Sequence, residues 1–169
     1  MSLLAHHRAM LAYESEANRR VLAALRSVPE AKRGQGSAGG AEFRRACGIL
    51  AHGQMARRMW LSRLGAIARP EWVMFPDWPL ERLEAEMSEL DRLWGNYLET
   101  LRAGDLEPGA RVVHYQSNDG AAWESSIDEI LTHVHNHSTY HRGQVALLIA
   151  ACAGERPVTD FIVMTRRPA

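Results

Sequence analysis

Apolar residues recur at three- and four-residue intervals through four stretches of this chain, with glycine or proline near the ends, and that pattern leaves little choice of fold. The first stretch runs from about Leu3 to Leu25, carries Leu4, Met10, Leu11, Val21, Leu22 and Leu25, and stops ahead of Pro29. A loop rich in glycine and charge, EAKRGQGSAGG, follows it. The second, Ala41 to Gly65, carries Phe43, Ala46, Cys47, Leu50, Gln54, Met55, Met59, Trp60 and Leu64, with Gly65 where a terminating glycine belongs. The third, Pro79 to Leu101, has a stripe of Leu80, Leu83, Met87, Leu90, Leu93, Trp94, Tyr97, Leu98 and Leu101. Pro79 suits a first helical turn, and Glu81, Glu84 and Glu86 set negative charge near the positive end of the helix dipole. Residues 110–125 break the habit: Val112, Val113 and Tyr115 favour strand and Asp119-Gly120 is a turn signal, which predicts a β-hairpin. A fourth helix then starts near Ser126, where Ser126 and Glu129 have capping-box spacing, and stops at about Ala153 ahead of Gly154 and Pro157.

Amphipathic helices with short connections must share one core, because none buries its apolar face alone. The expected fold is therefore all-α, a four-helix bundle with a small β-hairpin before the last helix, forming a single domain over residues 1–169. Twenty basic residues balance twenty acidic ones, which offers no electrostatic footprint for nucleic acid or an anionic membrane. No apolar run is long enough to span a membrane, and the N-terminus lacks the layout of a signal peptide. Cys47 and Cys152 form no C-x-x-C motif and read as reduced core residues, which suits a cytoplasmic protein.

Four of the eight histidines fall in one segment, HVHNHSTYHRGQVALLI, residues 133–149. His133, His137 and His141 are four apart and stack along one helix face, while His135 points elsewhere. By helix geometry the row follows Ile130, Val134, Gln144 and Leu148, which places it on the expected core side. Buried imidazoles without partners cost about 1–3 kcal/mol each, and a shared metal ion removes that cost. His52, in mid-pattern on the second helix beside the small Gly53, is the candidate third ligand. His6 and His7 sit near a fraying terminus, and His114 sits on the hairpin near the bundle mouth. A lone helical histidine is ordinarily a hydrogen-bonded or surface residue; the spaced row and the second-helix histidine together carry the metal reading.

The same segment resembles the fourth-helix signature of the DinB/YfiT-like superfamily. YESEANRRVLAAL, GILAHGQMARRMWLSRL, VVHYQSNDGAAWESS and GERPVTDFI are similar to its first helix, second helix, hairpin and closing segment, so the likeness covers nearly the whole chain. The resemblance implies a divalent metal ion, nickel or zinc, held by one histidine of the second helix and an H-x-x-x-H pair of the fourth; here these are His52, His137 and His141. It also implies a homodimer. Its relatives include transferases or isomerases that use a low-molecular-weight thiol (bacillithiol, mycothiol or glutathione), and others described only as metal-dependent hydrolases.

Three imidazoles with open coordination positions make a catalytic type of site. Such a site lowers the pKa of a bound water or a bound thiol. The absence of H-E-x-x-H removes the helix-borne base of metallopeptidases. No residue of the sequence is assigned as the catalytic acid or base. His133, Tyr140, Asn18 and Arg142 are the candidates to orient the ligands or line a pocket for a small-molecule substrate. For Arg142 the favoured alternative is a salt bridge with Asp160 or another acid; Asn18 either points into the bundle mouth or bonds to a neighbouring helix. The tryptophans Trp60, Trp94 and Trp123 read as core or interface. The expected function is thiol transfer to small electrophiles. A metal-dependent hydrolase and a non-catalytic metal-binding stress-response bundle are the alternatives, with no role for nucleic acid or membrane.

Overall fold

The computed structural model describes residues 2–117 and 119–168. Ser2 accepts a hydrogen bond from the Ala5 N–H at 3.2 Å and starts α1, Leu3–Ser27. After a short 3-10 turn at Glu30–Lys32 come α2, Gly40–Arg63, and α3, Leu80–Thr100. A second 3-10 turn, Ala103–Leu106, leads into strands β1, Val112–Gln116, and β2, Ala122–Ser126. These pair antiparallel with Tyr115 opposite Trp123 and His114 opposite Glu124. Gly120 takes the left-handed conformation of the turn at φ 87°. The capping box forms as the spacing predicts: Ser126 caps the Glu129 N–H, the Glu129 carboxylate returns to Ser126 N–H, and α4 runs Ile127–Ala151. A short α5, Phe161–Thr165, closes a tail that had no regular pattern in sequence. No described helix is long and apolar enough to cross a membrane.

The four long helices stand at the corners of a square in the order α1, α4, α2, α3, so that α4 packs on both α1 and α2. The apolar core divides in two along the bundle. One part gathers Val21, Leu25, Leu50, Leu83, Val145 and Ile149. The other gathers Leu61, Leu90, Trp94, Leu98, Ile127 and Leu131. Between them, at mid-height, lies a buried polar layer of Glu14, Asn18, Gln54, Arg57, His135, Ser138 and Arg142.

The end of α4 departs from the sequence reading. Gly154 was the expected terminator, yet the left-handed residue is Ala153, at φ 60°. Ala153 N–H bonds to the Ala150 carbonyl at 3.1 Å and Gly154 N–H to the Ile149 carbonyl at 2.9 Å, a Schellman closure with alanine in the strained position. Gly154 is needed for a different reason: a Cβ there would stand 2.7 Å from side-chain carbons of Ile149 and Val28. Ala153→Gly is expected to stabilise the protein by about 1 kcal/mol in urea unfolding, because the left-handed conformation penalises a Cβ and Ala153 is exposed. No gain, or a loss, would show that the turn relaxes around alanine.

Candidate metal centre

α2 and α4 lie side by side, and their histidines meet at the polar height of the bundle. His52, His137 and His141 bring one ring nitrogen each within 4.8 Å of one another. Ring centres are 5.3 Å apart for His52 and His137, 4.8 Å for His52 and His141, and 4.4 Å for His137 and His141. All three are half-buried.

Two of the three rings are oriented from outside the cluster. The segment between α2 and α3 folds back so that His52 Nδ1 donates to the Met74 carbonyl at 2.7 Å, with Phe75 and Trp72 against the ring. That proton leaves the Nε2 lone pair free. His141 Nδ1 lies 2.9 Å from Gln144 Oε1, which holds its proton on the outer nitrogen as well. His141 Nε2 then faces His137 Nε2 at 3.2 Å. An ion with metal–nitrogen bonds of about 2.0 Å and tetrahedral angles separates its ligand atoms by about 3.3 Å. The donor set therefore fits a divalent ion: with the His137 proton on Nδ1, its Nε2 lone pair faces that of His141 at ligand spacing, and His52 completes a set of nitrogens within 4.8 Å of one another. Burial, followed by the neighbouring His141 and His52, pulls His137 down to about 4, and burial lowers His52, so both are neutral and able to ligate at neutral pH.

The other expected site residues fall into two groups. His133 packs 5.5 Å from His137, ring centre to ring centre, and Tyr140 stacks edge-on against His141 at 5.1 Å while remaining exposed. Tyr140 and His141 line a cavity of about 610 Å³ together with Arg44, Arg45, Phe75 and Asp77. Asn18 and Arg142, by contrast, do not line this site. Both are 2% exposed, on the inner side of α4, where Arg142 pairs with Glu14 at 2.8 Å and reaches Asn18 at 3.3 Å. The salt bridge expected for Arg142 exists, with Glu14 rather than Asp160 as its acid.

The histidine row also sits differently from the expectation. It occupies the flank of α4 toward α2, and His135 is the core-facing imidazole, 8% exposed and stacked 5.7 Å from His7. The reason is the square packing: α4 has two covered faces, and sequence periodicity by itself predicts one. His7, set aside as terminal, is 2% exposed and bonds to Asp128 at 2.8 Å. His114 stays on the outer hairpin and pairs with Glu124 at 3.5 Å.

Sequence reasoning missed Gln144 and the Met74 carbonyl as orienting groups, and it missed the buried Glu14. Gln144 was within reach, being three residues after His141 on the same helix face. Glu14 was also legible, since it stands on the apolar stripe of α1 between Leu11 and Val21. The Met74 contact carries no local signal, because a backbone carbonyl reveals nothing in sequence.

No curated protein and no solved structure matches this chain. A family model, that of the DinB family, matches residues 1–167 and so spans every element described above. On that match the chain belongs to the DinB family.

Proposed function

We propose that this protein is a metal-dependent transferase that joins a low-molecular-weight thiol to small electrophiles, using nickel or zinc held by His52, His137 and His141. The single observation that carries the reading is the convergence of three imidazoles, with no fourth protein ligand in the cluster among the described residues. Structural sites are closed by four protein ligands, whereas a three-ligand set leaves room for a reactant. A divalent ion bound there supplies Lewis acidity and makes a neighbouring thiol or water more acidic.

The chain's own groups do the rest. Met74 and Gln144 hold the ligating rings in place. Phe75 and Trp72 pack against the His52 ring and Tyr140 against the His141 ring. Arg44 and Arg45 give the adjoining cavity a positive rim that favours a thiolate over a thiol. No carboxylate oxygen joins the three imidazoles among the described residues. That favours the thiol, which needs only to lose its proton to solvent before sulfur bonds to the electrophilic carbon and the leaving group departs. Asp77 on the wall of the same cavity is what a hydrolase reading would use as a base. A cytoplasmic homodimer belongs to the same proposal.

The test is a coupled assay on protein stripped of metal and reloaded with nickel or zinc. Bacillithiol, mycothiol and glutathione are each offered with 1-chloro-2,4-dinitrobenzene. The expected result is conjugate formation that needs both metal and one of the thiols and falls at least about 100-fold in His141→Ala. Ester cleavage by the metal-loaded protein without thiol would replace this reading with the hydrolase. A stoichiometric metal complex with no turnover of either kind would leave a non-catalytic bundle.

A further inference from the structure

A second cavity, of about 800 Å³, lies between the C-terminal end of α2 and the hairpin. Arg63 and Arg69 form one side of it, and Tyr115 and Trp123 the other. The Arg63 guanidinium is held between two aromatic faces, 4.6 Å from the ring centre of Trp60 and 5.0 Å from that of Tyr115. It donates one hydrogen bond, to the Gln116 carbonyl at 3.1 Å. The arginines of the bundle interior, Arg57, Arg58 and Arg142, each face a carboxylate. Arg63 is half-buried as well, yet it faces none in ion-pair range among the described residues. The acid on the cavity wall, Glu124, is exposed to solvent and lies 3.5 Å from His114. Burial works against the charge of Arg63, Tyr115 offsets part of this, and the charge of Arg69 adds to the strain. An anion in the cavity relieves both.

The opposite wall is a stacking surface. Trp123 is 58% exposed, stands directly across from Tyr115, and already gives its indole N–H to Ser117 Oγ at 3.2 Å. Its ring face needs no partner within the chain. A rigid guanidinium with free donors and an exposed indole across one cavity match a planar acid group attached to an apolar body.

A chain of side-chain contacts links the cavity wall to the histidines. Trp60 touches Arg63 on one side and His133 on the other, with the latter ring centre at 5.2 Å, and His133 touches His137. His52 and Arg63 both lie on α2, about 16 Å apart along its axis at 1.5 Å per residue.

We infer that this cleft binds an organic carboxylate, with Arg63 and Arg69 taking the acid group and Trp123 stacking on the apolar body. As an anion site the cleft stands on its own residues. As the place where the reaction's substrate is anchored, it rests on the thiol-transfer reading, because that reading puts the reacting end of a ligand at the histidines.

The probe is 1-naphthoate, with 1-naphthamide as its uncharged counterpart, titrated by calorimetry into metal-free protein. The expected result is naphthoate binding at least about tenfold tighter than the amide. Arg63→Met, which keeps an apolar stem between the two rings, is expected to abolish that preference, and Trp123→Ala to weaken both ligands about tenfold. His137→Ala leaves the binding unchanged. Arg69→Met serves as the second variant where Arg63→Met does not fold, with a loss of about threefold at this exposed position. Equal affinity for acid and amide overturns the inference, as does a preference that survives in both arginine variants. Naphthoate that binds only metal-loaded protein, and not His137→Ala, also overturns the cleft while supporting the metal centre. Loss of the cleft with the metal centre intact, or the reverse, tells the two readings apart.

Discussion

Glu14→Gln is expected to cost about 3–5 kcal/mol of folding stability, an effect far larger than the substitution's size suggests. Glu14 is 1% exposed and lies 2.8 Å from one Arg142 nitrogen and 4.0 Å from Arg57 Nε. It also accepts the Asn18 amide at 3.2 Å. Burial pushes its carboxyl up, but Arg142 and Arg57 more than offset this and hold it below the ordinary value of 4.5. Removing the charge leaves two guanidiniums in the core with Asp91, on Arg57, as the one remaining carboxylate of the network. The sign of the pH dependence follows from the depressed pKa. The stability from Glu14 is fully present above the unfolded value and is lost as pH falls through the lowered folded value. Urea unfolding of the wild type and Glu14→Gln between neutral and acid pH checks both points, since the variant lacks that acid-sensitive part. A double replacement, Glu14→Met with Arg142→Met, is expected to recover much of the loss, because a well-packed apolar pair replaces a desolvated one. A cost under about 1 kcal/mol for Glu14→Gln would mean that water, not Glu14, compensates the two arginines.

The second large effect is on metal and its linkage to folding. Wild-type protein purified without a histidine tag is expected to hold one equivalent of nickel or zinc, and His52→Ala, His137→Ala and His141→Ala are each expected to lose it. A ligand that binds only the folded state stabilises it by about 4 kcal/mol at a thousandfold excess over its Kd. For a chain of this size that raises Tm by about 10 °C. Calorimetric melting of metal-stripped protein, with and without added metal, is therefore expected to show the shift in the wild type and none in the three variants. His133→Ala is expected to keep both the metal and the shift, since His133 touches the His137 ring without joining the converging nitrogens. Wild-type protein that takes up no metal from a micromolar nickel or zinc buffer would reduce the three histidines to a polar cavity wall.

The chemistry of the histidine-loaded segment follows from its height in the bundle. Residues 133–142 cross the level where the core turns polar, and α4 has covered neighbours on two sides. Toward α2 it presents His133, His137 and His141. Toward the interior it presents His135, Ser138 and Arg142 to the Glu14 network. One run of ten residues thus serves a candidate metal centre and a buried ion network that orients the helix carrying it.

Sequence alone determined the elements whose causes are local. Helix spans follow from three- and four-residue periodicity, the start of α4 from the Ser126–Glu129 capping box, and the hairpin from its β-branched run and Asp119-Gly120 turn. The pair His137–His141 was legible because residues four apart on a helix are neighbours in any fold. Tertiary structure decided whatever depends on which helix stands beside which. Periodicity specifies that α4 has an apolar side but not that two partners cover it, so His135 rather than the row of three turned out to face the core. It could not foresee that Glu14 would be the acid for Arg142 or that Asn18 would join them, because a residue on α1 and one on α4 become neighbours only when the square closes. Nor could it supply the Met74 carbonyl that turns His52, since a backbone group is the same in every residue and only the path of the chain aims it.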